Sequence, residues 1–278
     1  MKSRWFSCLL LFCLFLSLSP ASVGAQPQTH LVPIGGGYSD IYAGYMQAVV
    51  PLAANGQVKI LVLPTTYSSN AESITDAERA VNIRDAEERR YQIEEACKRA
   101  ASAEITCQAV LLPVFTRADA DQAENIALVS ADVTAVFILG GDQTVAMRAL
   151  RGTELEKALA EAYQRGAVFG GTSAGCGLLA RNMLAGYQPN FAAETSLDFG
   201  STDLWNTEDL RGFSFGLPNA VLDQHFYQRS RPGRLITTIL RPDSPKIGIG
   251  VDAYTGVNIL DERLVQDVFG LYTVTIFD

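Results

Sequence analysis

Histidine is nearly absent from this chain: it holds two in 278 residues, His30 and His225. That scarcity excludes a histidine-rich metal centre, and any imidazole acid–base step must fall to one of the pair. Cysteine is also sparse. Of five, Cys8 and Cys13 lie in an N-terminal apolar run, which leaves Cys97, Cys107 and Cys176. No Cys/His grouping has metal-ligand spacing, so no metal and no cofactor are expected. Positive charge is in the minority, 22 Lys plus Arg against 30 Asp plus Glu. An acidic balance argues against nucleic acid or an anionic membrane as partner. Internal repeats, low-complexity tracts and interdomain linkers are missing as well.

What is present begins with an address. Lys2 and Arg4 precede the apolar run Trp5 to Leu18, which is followed by Ser19-Pro-Ala-Ser-Val-Gly-Ala25. A positive start, an apolar stretch too short to span a bilayer and a Val23-x-Ala25 cleavage site read as a signal peptide. Residues 1–25 are therefore expected to be removed, leaving 26–278 as one secreted or periplasmic α/β domain with no membrane attachment. Export would permit a disulfide between Cys97 and Cys107, which bracket a helix-to-strand turn; the sequence leaves paired and free thiols both open. Cys176 reads as a buried small hydrophobe.

Apolar runs of strand length alternate with helical stretches. Leu31–Ile34, Val58–Leu63, Ala109–Leu112, Ala135–Leu139 and Ala167–Phe169 lack strict alternation, as strands buried on both faces do. Helices are expected over Asp40–Ala53, Thr75–Ser102, Asp119–Val129 and Thr153–Gln164, with Thr75-x-x-Glu78 as a capping box. This alternation predicts a doubly wound, mainly parallel sheet flanked by helices, with its site along the strand C-termini. Val251–Leu260 and Val268–Phe277 are expected to form an antiparallel pair closing the sheet. Gly35-Gly-Gly-Tyr-Ser-Asp40 fails the Gly-x-Gly-x-x-Gly phosphate pattern, because Asp40 replaces the third glycine. It reads as a turn feeding a helix, with Ser39 or Asp40 as N-cap.

The sharpest chemical signal is Gly171-Thr-Ser-Ala-Gly175, preceded by an apolar strand and followed by a small-residue helix. This is the Gly-x-Ser-x-Gly pattern of a nucleophile elbow, in which Ser173 sits on a tight turn and the Ala174 N–H faces a developing oxyanion. A serine nucleophile needs a base. His30 lies at the ragged start of the first strand, so His225 is the base by elimination. Arg229, Arg231 and Arg234 follow it closely around Pro232. Three guanidinium groups at the start of a helix, in an acidic protein, read as a carboxylate-recognition site.

Together these segments resemble the cyanophycinase and aspartyl-dipeptidase family of serine peptidases, which have a class I glutamine amidotransferase-like fold. The resemblance rests on the glycine loop after strand one, Gly140-Gly-Asp-Gln143, Gly171–Gly175, Asp223-Gln-His-Phe226 with the three arginines, and Gly248-Ile-Gly-Val-Asp252. Cyanophycinase is the nearer arm. The likeness implies Ser173 as nucleophile, His225 as general base, and Gln143, Gln224, Arg229, Arg231 and Arg234 as the pocket for a β-linked aspartyl residue. With Ala174, the N–H groups of Gly140 or Gly141 would complete the oxyanion hole. The implied substrate is a β-aspartyl peptide, with arginine-bearing polyaspartate as the cyanophycinase case, and a homodimer is an open option for assembly.

One position departs from that pattern. After Gly-Ile-Gly-x-Asp the cyanophycinase motif carries a glutamate behind the histidine, and this chain has Ala253. Asp252 is adjacent, but neighbours in a strand face opposite ways. Asp223, Glu194 and Asp198 are the candidate replacements. Three readings stay open: a β-aspartyl serine peptidase, a non-catalytic binder of aspartyl peptides that has lost its acid, and an α/β-hydrolase esterase. The last expects a late histidine, and none follows His225. The acidic, aromatic stretch Leu184–Gly216 reads as a loop over the site.

Overall fold

Five apolar stretches form the parallel heart of one sheet: β1 (His30–Ile34), β2 (Gln57–Leu63), β3 (Thr106–Leu111), β4 (Ala135–Ile138) and β5 (Val168–Thr172). The computed structural model describes residues 27–191 and 195–278; the expected signal segment and Glu194 lie outside the described residues. The five strands run in the order β1-β5-β4-β2-β3, every neighbouring pair parallel. All residues of β1, β4 and β5 are buried, which is why their sequences are apolar without alternation.

Successive residues of these strands feed opposite faces. Leu31, Val136 and Phe169 pack against α5 (Gln143–Leu150), α6 (Glu154–Gln164) and α7 (Ala174–Leu178) through Met147, Leu150, Leu159 and Leu178. Val32, Phe137 and Val168 pack on the other side against α1 (Tyr42–Val49) and α2 (Asp76–Ala100), through Tyr45, Met46 and Ile93. The architecture is thus a mainly parallel α/β sheet covered on both faces, as the sequence predicts.

Helix boundaries differ from expectation where side chains find other partners. Thr75 caps α2 by accepting the Glu78 N–H, but the Glu78 carboxylate does not return to close the box. It takes the Ser69 N–H at 2.8 Å and the Ser69 hydroxyl at 3.0 Å, fixing a loop that reaches the site. The helix expected over Asp119–Val129 is split into α3 (Arg117–Ala120) and α4 (Ala123–Leu128). Asp119 is drawn into a capping box with Thr116 and accepts from Phe115 N–H and Arg79 as well. Helix α1 starts at Tyr42 without a side-chain cap, so neither Ser39 nor Asp40 fills that role.

The later chain is more elaborate than a single closing pair. The stretch expected as a loop contains β6 (Met183–Tyr187), α8 (Ser196–Phe199) and β7 (Thr202–Trp205), with β6 antiparallel to β7. Beyond it come β8 (Ala220–Gln224), α9 (Pro232–Ile239), β9 (Ile247–Val251), β10 (Thr255–Leu260), β11 (Leu264–Gly270) and β12 (Val274–Phe277). The β10–β11 hairpin adds to the main sheet antiparallel to β1, while β12, β9 and β8 make a separate three-stranded sheet. Val251 and Thr255 therefore belong to different sheets. The break lies at Asp252, whose carboxylate accepts the Tyr227 and Thr273 N–H groups, and at Tyr254, with φ of 57°.

Candidate active site

Ser173 follows β5 directly and adopts φ of 54° and ψ of −118° before the chain enters α7. A non-glycine residue held there is strained, and the surrounding packing enforces it. A Cβ on Gly171 would strike the Gly175 carbonyl, and one on Gly175 would lie 2.5 Å from the Ile138 carbonyl oxygen. The elbow is pinned below by Ser173 N–H to Ile34 O, 3.0 Å.

His225 comes one residue after β8 and also has a positive φ, 46°. Its N–H donates to Gly35 O at 2.8 Å, and its imidazole lies flush on Gly36, where any Cβ would overlap the ring. The outcome is a contact of 2.9 Å between His225 Nε2 and Ser173 Oγ. Burial, followed by the charges of Arg229 and Arg231, pushes the imidazole pKa down to about 4. The ring is neutral at pH 7, so Nε2 can accept the serine proton.

Gly140 adjoins this pair: a Cβ there would stand 3.1 Å from Ser173 Cβ. Among the described residues, no protein acceptor takes the N–H of Ala174, Gly140 or Gly141, which leaves those donors for an anionic oxygen. In front of them opens a cavity of about 800 Å³. Its wall comes from the C-terminal ends of β1, β2, β4 and β5 and from one face of α2, including Asn82, Asp85, Glu88 and Arg89.

None of the side chains expected to bind substrate lines this cavity, and three of them, Gln143, Arg231 and Arg234, have partners within the protein. Gln143 donates to Leu184 O and Ala185 O at 3.2 and 3.1 Å. Arg234 is buried against Asp223, with Nε 2.7 Å from Oδ2. Arg231 donates to the Gln224 backbone oxygen at 2.6 Å. The Gln224 side-chain oxygen is buried without a partner among the described residues, and Arg229 is exposed.

The question of the third acid has a clear answer among the described residues: no carboxylate bonds to His225. Asp223 is taken by Arg234. Asp198 is exposed on α8, and Asp252 is held by Tyr227 and Thr273. The Ala253 N–H donates to Gln228 Oε1 at 2.9 Å. No group of three or more His, Cys, Asp or Glu side chains among the described residues is disposed to hold a metal ion.

Two features of the site escaped the sequence reading. The glycine loop after β1 reads as a plain turn, yet it is the floor on which His225 rests. The α2 wall had a usable signal: Asn82, Asp85 and Arg89 recur at helical spacing, placing polar groups on one face.

Comparison with known proteins places this geometry in a lineage. A 170-residue stretch, 60% of the chain, is 36% identical to the cyanophycinases of Synechococcus elongatus and Thermosynechococcus vestitus and covers 48% of each. The cyanophycinase of Geminocystis herdmanii is 32% identical over 149 residues, covering 52% of this chain and 49% of its own. The chain thus spans about half the length of these curated relatives. A peptidase from an acI-B1 Actinobacterium has the same fold, with a TM-score of 0.63 at 20% identity over 91% of both chains. Residues 79–265 match the model of peptidase family S51, and the chain belongs to that family.

Proposed function

We propose that this protein is an exported serine peptidase that hydrolyses β-aspartyl peptide bonds through an acyl-enzyme. The single observation that carries the reading is the Ser173 Oγ–His225 Nε2 contact of 2.9 Å at the mouth of the cavity. Ser173 Oγ would attack the scissile carbonyl carbon while its proton passes to Nε2. The oxygen that becomes negative would be held by the Ala174 N–H and that of Gly140 or Gly141. His225 would return the proton to the leaving amine, and a water deprotonated at the same nitrogen would release the acyl group. The aspartyl preference, including arginine-bearing substrates, is supported by the motif resemblance and by relatives named cyanophycinase.

Export is supported by two independent features. The N-terminal segment has the layout of a secretory signal, and Cys97 and Cys107 form a disulfide with Cα atoms 5.9 Å apart, a bond that persists in oxidising compartments. A specific observation also favours a second reading, an aspartyl-peptide binder without turnover: among the described residues no carboxylate bonds to His225, and Ala253 stands where the resemblance calls for one.

Incubating purified protein with cyanophycin and with β-Asp-Arg dipeptide bonds separates the two. Product release by wild type, lost in Ser173→Ala, is expected. Binding without product favours the second reading, and equal turnover by Ser173→Ala removes the first.

A further inference from the structure

One wall of the cavity carries polar groups that the reaction sequence above leaves unused. Tyr38, in the glycine loop after β1, is half-buried and lines the cavity. Its hydroxyl oxygen lies 3.3 Å from the point where a Gly140 Cβ would stand, and Ser173 Cβ lies 3.1 Å from that same point. The phenol is therefore a close neighbour of the nucleophile, on the side where the Gly140 backbone faces the reacting carbonyl.

The ring is held from behind. The Arg89 guanidinium lies 4.1 Å from the Tyr38 ring centroid, a cation–π stack. Tyr67 lines the cavity beside Tyr38 and Arg89, and burial raises its hydroxyl pKa well above the usual phenol range. The Arg89 charge behind the ring polarises the Tyr38 hydroxyl, which can donate its proton into the cavity.

The other half of the site supplies the reason such a donor matters. An imidazolium forming at His225 would meet the charges of Arg229 and Arg231 with no carboxylate to offset them. Stabilisation of the charge-separated transition state must then come largely from the oxyanion side. We propose that the Tyr38 hydroxyl is a further catalytic group, donating a hydrogen bond to the acyl oxygen as it becomes negative, beside the N–H groups of Ala174 and Gly140. The phenol keeps its proton throughout; the mobile proton is the one passed between Ser173 Oγ, His225 Nε2 and the leaving amine. This assignment rests on the serine-peptidase reading and adds a residue to it.

Tyr38→Phe isolates the hydroxyl, because the ring under Arg89 is retained. Removing one oxyanion donor costs roughly 10²–10³ in kcat. With β-aspartyl peptides we expect Tyr38→Phe to lower kcat by about 100-fold while KM stays within about twofold, and to slow fluorophosphonate labelling of Ser173 in parallel. Arg89→Met, which removes only the cation behind the ring, should give a smaller fall in kcat, and it decides the matter if Tyr38→Phe does not fold. If kcat in Tyr38→Phe is within about threefold of wild type while Ser173 still labels, or, where that variant does not fold, if kcat in Arg89→Met is unchanged, the assignment fails and the peptidase reading stands. A rise in KM at unchanged kcat overturns it too, marking Tyr38 as a binding residue. Wild type that neither labels at Ser173 nor cleaves peptide brings down the peptidase reading, and the assignment with it.

Discussion

Arg234 grips Asp223 at two points in the interior: Nε lies 2.7 Å from Oδ2 while Nη2 meets Oδ1. The two side chains are 3% and 1% exposed, so neither is free to meet a substrate or to orient His225. A buried pair gains much of its attraction only by offsetting desolvation, and deleting one partner leaves the other charge stranded. Arg234→Ala should therefore destabilise the fold by about 3–5 kcal/mol, read as a lower midpoint in urea. A normal midpoint combined with a large rise in KM would instead return Arg234 to substrate recognition.

The depressed imidazole sets a pH window. Because His225 titrates near 4 in the folded chain, kcat/KM should hold down to about pH 4, instead of falling between 6 and 7 as an ordinary histidine dictates. The same shift enters stability. Between about 4 and the ordinary imidazole value of 6.5 the unfolded chain binds a proton that the folded chain refuses, so stability declines as pH falls through that window. Denaturation midpoints of wild type and His225→Gln across pH 4 to 7 provide the check. The wild type should lose stability on acidification more steeply than the variant.

The parallel strands and the nucleophile turn were legible because each depends on local composition, and His225 was legible as the partner of Ser173 because only one other histidine competes with it. Runs such as Ala135–Leu139 can only be buried, and Gly171 is demanded by a backbone contact within the elbow itself. The pairing of Arg234 with Asp223 was not legible, because it depends on packing at long range. Arg234 carries the same charge whether it faces a ligand or Asp223, and only the position of β8 against α9 decides which. Likewise, Val251–Leu260 reads as one strand until Asp252 finds Tyr227 and Thr273 and turns the chain between two sheets.

Gly36 offers a test of how closely the histidine must be seated. A Cβ there would overlap ring Cε1 and stand 2.5 Å from Nδ1, so Gly36→Ala must push the imidazole away from Ser173. A misplacement of about 1 Å costs on the order of 10² in rate. We expect a kcat loss of that size with the thermal midpoint little changed, since the ring is partly solvent-facing. Unchanged turnover would mean that His225 is not working from the position seen.

The Cys97–Cys107 bridge lies at the opposite end of the molecule, joining the last turn of α2 to the start of β3. A disulfide closing a short loop stabilises by about 2–3 kcal/mol, mainly by restricting the unfolded chain. The Cys97→Ala/Cys107→Ala double variant should melt several degrees lower and keep wild-type kcat at 25 °C. A loss of activity without a change in melting would contradict this division between scaffold and site.

Ala253 is where the missing acid can be put back. Its neighbour Tyr254 donates its N–H to Gly36 O at 2.8 Å, and Gly36 touches the His225 ring, so residue 253 is one step from the imidazole's support. A carboxylate reaching Nδ1 would stabilise the imidazolium and oppose the effect of Arg229 and Arg231, raising the imidazole pKa toward its ordinary value. In a serine protease with a complete triad, spoiling the acid costs about 10⁴ in kcat, which bounds what Ala253→Glu can restore. A gain of at least about tenfold in kcat, with the acid limb of the pH profile moving up from about pH 4, is the expected result. Both readouts are needed, since the pKa shift alone would show only that the carboxylate reaches the ring. If the acid limb moves and kcat does not, His225 does not become positively charged in the rate-limiting step, and the stabilisation of that step lies on the oxyanion side alone; if neither moves, residue 253 does not reach the ring.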